Sequence, residues 1–287
     1  MTEVKIKVDL DRREKLRRLH TVTHIVNYCA REVLGNHVWQ NGSNLKPEFG
    51  TLDITHYENL SRSDLKKIEL MTNKVIFQDR KVSIEEIPRD EAEKNYGFTV
   101  YQGGAIPMSK IRIIKVLDND IEACGGIHME STGGIGMVKI IDSQKIQDGV
   151  VRLKYVVESY ALEHTQIRDD VIYELEKLYD VSENDILKTS EKFFEDWKVQ
   201  KKRIENLEKS LIQSNLNIIK ESSDIEFNVG SGHDMGFMMD LFNQANKTKD
   251  KLMIESDKFI ISTPDFNIED NKYSKKIEKP KFNIHIK

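Results

Sequence analysis

The chain opens on a period of two. Residues 4–10, VKIKVDL, put Val4, Ile6, Val8 and Leu10 on one side of an extended backbone and charged residues on the other, which predicts a strand. The period then lengthens. Leu16, Leu19, Thr23, Val26, Ala30 and Val33 recur three and four apart, predicting an amphipathic helix over about 11–34 that stops at Gly35. Residues 35–50, GNHVWQNGSNLKPEFG, are rich in Gly and Asn and read as a loop. Ser61, with Asp64 three residues on, supplies an N-cap and an acid for the positive end of a second helix, whose buried face is Leu65, Ile68, Met71 and Val75. A short helical piece over 89–96 ends at Gly97. β-type runs follow at 111–117, 137–141 and 150–157, separated by glycine clusters at 103–104, 125–126 and 133–136. Strands mixed with a few helices in this order favour α+β over a regular βαβ repeat.

After Glu158 the pattern becomes helical. Ile167, Val171, Ile172, Leu175 and Leu178 describe one amphipathic helix, and a second starts near Ser182 with Asp185 as a variant of the capping box. Trp197, Ile204, Leu211 and Ile218 repeat at seven, with Leu207 between them. A coiled coil needs about 3–4 such repeats, so this seam suits either two helices packed within one chain or association of two copies through 186–218. From 222 the signal weakens, GSGHDMG at 230–236 is turn-like, and a small β-containing terminal module is expected. The expected divisions are 1–158, 159–221 and 222–287.

At 287 residues the chain has room for two domains of roughly 100–200 residues each. A formal charge of -4 excludes a globally basic nucleic-acid binder. A local excess of six lysines over one glutamate in 271–287 reads most simply as a solvated tail, with an RNA contact as the alternative. No apolar run approaches the ~20 residues that span a bilayer, and the N-terminus lacks a secretory signal. Two cysteines, Cys29 and Cys124, make no disulfide scaffold, so a cytoplasmic location is expected.

Two clusters carry candidate chemistry. His20 and His24 stand one helical turn apart on one face, at the edge of the apolar stripe. Cys124-Gly-Gly-Ile-His128 lies between predicted strands, where two glycines let the backbone turn and bring thiolate and imidazole together. Either cluster alone is more often incidental. Together they offer three imidazoles and one thiolate, a set suited to tetrahedral Zn2+ if the fold joins them. Cys29 is expected to fill the core. His37, His56, His164, His233 and His285 show no pairing, and Trp39, Trp197 and the aromatics at 193–194 read as packing groups.

The blocks HTVTH (20–24), HVWQNGS (37–43), LDITHY (52–57), YGFTVYQGG (96–104) and EACGGIHMESTGGIG (122–136), in this order, resemble the editing domain of alanyl-tRNA synthetases. FFEDWKVQKKRIENLEKSL (193–211) is similar to the helical segment that follows it in archaeal-type enzymes. A threonyl-type editing domain shares HxxxH and CxxxH, but the HVWQNGS and FFEDWK blocks favour the alanyl family. The resemblance implies a zinc-containing editing domain, a coiled-coil-like helical segment and a small α/β terminal module. It implies hydrolysis of Ser-tRNA(Ala) and Gly-tRNA(Ala). By motif match it assigns His20, His24, Cys124 and His128 to the zinc site and catalytic core, and Gln40, Gly133 and Gly134 to the substrate pocket. No stretch resembles the synthetic core, nor the β-barrel that normally precedes the editing core. The expectation is therefore the C-terminal subunit of a synthetase split in two, with a separate chain carrying aminoacylation and tRNA recognition. An autonomous deacylase and a decayed tRNA-docking subunit are the alternatives.

Overall fold

The computed structural model describes residues 7–101, 104, 107–117, 120–223, 225–266, 268 and 274–287. They form two compact units, Met1–Leu178 and Tyr179–Lys287.

In the first unit, helices α1 (Leu10–Leu34), α2 (Arg62–Phe77), α3 (Arg89–Tyr96) and α4 (Glu158–Tyr179) accompany two antiparallel sheets. The larger has the order β1 (Gln40–Lys46), β2 (Phe49–Thr55), β7 (Val150–Val157), β6 (Val138–Gln147); the smaller is β3 (Ser83–Pro88), β4 (Lys110–Leu117), β5 (Asp120–Ala123). The helix expected over 11–34 is α1. Its buried Leu19, Val22, Val26 and Ala30 pack with Leu52, Ile54, Leu153 and Tyr155 of the larger sheet in one apolar core. Thr23 is the polar member of that stripe, and its hydroxyl lies 2.6 Å from the Tyr155 hydroxyl. Gly50 runs directly under the Tyr155 ring, where a Cβ would come within 2.5 Å of it.

Three expectations change here. Of the strand expected at 4–10, residues 4–6 lie outside the described residues and 7–9 are in no strand. Asp9 instead caps α1, its carboxylate accepting from the Arg12 N–H, and Leu10 begins the helix. Local capping outweighs alternation at residues 9–10. The loop expected at 35–50 contains the hairpin β1–β2, paired from Gln40↔Ile54 to Lys46↔Phe49. β1 is the sheet edge, where polar and glycine residues suit a solvated strand. β3 and β5 went unrecognised because glutamates and aspartate interrupt their apolar pattern.

In the second unit, α5 (Glu183–Glu221) and α6 (Met235–Ala245) pack through Ile212, Leu216, Ile219, Phe237, Met238 and Phe242. They accompany a sheet ordered β11 (Lys275–Lys279), β12 (Phe282–Ile286), β10 (Phe259–Ser262), β9 (Met253–Glu255), β8 (Glu226–Asn228). The solvated tail is corrected: β11 and β12 form a paired hairpin with Ile284 buried, because Phe282, Ile284 and Ile286 alternate with Asn283 and His285 in β12 and Ile277 stands opposite Ile284 in β11. The packing expected for Phe193, Phe194 and Trp197 is corrected too, since all three are exposed, as are Ile204, Leu207 and Ile218. Among the described residues no helix is long and apolar enough to cross a membrane.

Candidate metal centre

His20 and His24 project from one face of α1. The chain leaves β5 at Ala123 and turns through Cys124–His128 against them. Arg112 of β4 holds that turn, its Nη1 donating to the carbonyls of Cys124 (2.9 Å) and Gly126 (2.6 Å). A side chain at Gly126 would overlap the His20 ring, so only glycine allows this approach. Both sequence clusters therefore meet. The ligand atoms of His20, His24, Cys124 and His128 all lie within 4.8 Å of one another, with His20 Nε2 3.3 Å from Cys124 Sγ.

The surroundings orient the rings. The Thr21 hydroxyl donates to the Arg17 carbonyl and accepts from the Met129 N–H. Its 3.3 Å contact with His128 Nδ1 therefore uses an N–H of the ring. That tautomer leaves the lone pair on His128 Nε2, a buried atom without a hydrogen-bond partner among the described residues. His24 Nδ1 lies 3.0 Å from Glu122 Oε2, an ion-pair contact that is not aligned as a hydrogen bond, and its Nε2 is left for the cluster. An unpartnered imidazole nitrogen facing three further nitrogen and sulfur donors fits Zn2+.

The electrostatics agree with a ligand set. Burial alone would push the Cys124 thiol up, but the close imidazoles of His128, His20 and His24 bring it down to about 3. Burial pushes His128 down to about 4, against the pull of Cys124. For His24 burial is outweighed by the Glu122 carboxylate, which holds the imidazole well above its usual range. Burial and the Glu122 charge hold Asp120 well above the carboxylate range. Cys29, by contrast, is a core thiol pushed up to about 12 by burial.

The other predicted site residues lie elsewhere in the unit. Gln40 opens β1. Gly133 and Gly134 lie in a short 3-10 turn, the first donating its N–H to Asp79 (2.9 Å), the second accepting from Arg18 Nε (2.9 Å). A cavity of about 280 Å³ opens beside Cys124 and Gly125, walled by Glu86, Met108, Lys110, Ile111 and Arg112; none of Gln40, Gly133 and Gly134 lines it. His37 and His56, expected to be unpaired, are in contact at 2.8 Å between Nε2 and Nδ1, because the β1–β2 hairpin brings their segments together. Glu122 and Thr21 escaped the sequence reading. Strand alternation was the available signal for Glu122, since positions 122 and 124 share a side.

Residues 111–154 match the family model described as "Threonyl and Alanyl tRNA synthetase second additional domain". An alanine–tRNA ligase of Methanococcus maripaludis is 42% identical over 208 residues, 72% of this chain and 23% of the relative. One from Methanopyrus kandleri is 40% identical over 214 residues, 75% of this chain and 23% of the relative. One from Pyrococcus abyssi is 36% identical over 284 residues, 96% of this chain and 31% of the relative. The chain thus spans about a quarter to a third of the length of these curated relatives.

Proposed function

We propose, from the premise that this chain is related to alanyl-tRNA synthetases and carries the second additional domain of threonyl and alanyl tRNA synthetases, that it hydrolyses the ester of Ser-tRNA(Ala) and Gly-tRNA(Ala). The observation that carries the reading is the convergence of His20, His24, Cys124 and His128 on one point.

The chemistry explains why such a site is needed. A synthetic pocket that accepts alanine cannot exclude the smaller glycine, and an apolar pocket rejects an added hydroxyl by only ~100-fold. A second pocket that hydrogen-bonds the serine hydroxyl discriminates further, because alanine would leave a buried polar group unpaired. In this reading Gln40 reads that hydroxyl, and the Gly133–Gly134 turn borders the same substrate. Held by all four side chains, Zn2+ would have a closed tetrahedral shell, so it would fix the shape of the site that receives the aminoacyl end rather than polarise the ester. The chain's own residues orient the ester and admit a water to its carbonyl. Cys124 serves as a ligand, since a metal-bound thiolate is not free to act as a nucleophile.

A partner chain carrying the aminoacylation and tRNA-recognition domains belongs to the same proposal, as does association of two copies through 186–218, where Leu187, Trp197, Ile204, Leu207 and Ile218 of α5 are exposed.

The test is to incubate the purified chain, with and without a candidate synthetic partner, with Ser-, Gly- and Ala-tRNA(Ala). Loss of the seryl and glycyl esters, retention of the alanyl ester, and a fall of at least 100-fold in Cys124→Ala and His20→Ala are expected. Full activity in both variants would remove the hydrolase reading.

A further inference from the structure

We infer that Glu122, itself oriented by Asn27, is the positioning residue that fixes His24 for metal binding; this rests on the metal-site reading above. Glu122 and His24 are each only 3% exposed, and Glu122 Oε2 lies 3.0 Å from His24 Nδ1. The other carboxylate oxygen accepts from Asn27 Nδ2 at 3.2 Å. Asn27 stands three residues after His24, so one helix supplies the ligand and, a turn on, the group that aims its carboxylate. The strand supplies the counterpart, with Glu122 two residues before Cys124. The two elements that each contribute ligands are thus joined a second time, behind the ligands.

Charge explains why a carboxylate sits there. A buried, unpaired carboxylate is strongly disfavoured. A divalent ion held by one thiolate and three neutral imidazoles leaves one positive charge, which Glu122 balances. A carboxylate on the distal ring nitrogen also fixes the tautomer and raises the basicity of the coordinating one.

A second role for the same atoms is open to experiment, because His24, Asp120 and Glu122 also bring their ligand atoms within 4.8 Å of one another. A positioning carboxylate predicts one metal per chain, and a ligand carboxylate predicts two.

The experiment titrates the purified full chain with Zn2+ against a chromophoric chelator and records the visible spectrum of the Co2+ form. One equivalent is expected for the wild type. Glu122→Gln should retain that single equivalent, bind Zn2+ about 10–100-fold more weakly and shift the Co2+ bands. Asn27→Ala, which keeps the charge but loosens its aim, should weaken binding by about threefold or more. Circular dichroism of the metal-free proteins checks folding, and if Glu122→Gln does not fold, Asn27→Ala decides. Unchanged affinity in the variants that fold, or two equivalents in the wild type with one lost in Glu122→Gln, would overturn the inference. Wild type that binds no Zn2+ would instead remove the metal-site reading beneath it.

Discussion

Gly126 shows how little freedom the centre has. A Cβ added there would overlap the His20 ring, so any side chain displaces the imidazole. Gly126→Ala should therefore weaken Zn2+ binding about tenfold or more while leaving the circular dichroism spectrum intact, as a chelator competition would measure. The His24 proton offers a second prediction. Glu122 holds that proton on the metal-free ring well above the usual range, whereas Cys124, at about 3, is already a thiolate at neutral pH. Zn2+ binding at pH 7 should release about one proton, and affinity should rise with pH until His24 is neutral; calorimetry in buffers of different ionisation enthalpy reads this directly. His56 gives the opposite sign for folding. Burial first, and then the neighbouring His37, lower its affinity for protons below the usual 6.5. The unfolded chain binds the proton more readily, so the contribution present above about pH 6.5 is lost as the pH falls below it. Denaturant titrations at pH 7.5 and 5.5 should show the decline, and His56→Gln should flatten it. Of these residues, the convergence of the four candidate donors was legible because helical spacing and a glycine turn mark each pair locally. The His37–His56 contact was not, because it depends on strand pairing.

At the scale of elements, legibility followed burial. α1 and α2 each present an apolar stripe to a core and were readable from spacing, and Ser61 caps α2 as its sequence implies, its Oγ accepting from the Asp64 N–H at 3.1 Å. Ser61→Ala should cost about 0.5–2 kcal/mol in a urea titration. β1 could not be read because an edge strand facing water needs no alternation, and β5 could not because its Asp120 and Glu122 are buried acidic side chains. The tertiary neighbour that tolerates them, His24, comes from a distant helix.

Across the whole molecule, the two units have separate cores, and each explains a different part of the sequence pattern. The seven-residue repeat of α5 is a real helical feature whose apolar row the chain leaves uncovered over Trp197, Ile204 and Leu207. Sedimentation should therefore show self-association that Trp197→Glu combined with Leu207→Glu reduces. In the first unit, His20 and Cys124 are 104 residues apart in sequence yet share one cluster. A metal ion gripping both would act as a removable cross-link around most of the unit. At a free concentration 100 times its dissociation constant it would add about 2.7 kcal/mol to stability. A chelator would then loosen the whole embrace at a single knot, and trypsin should cut the unit faster wherever zinc runs short.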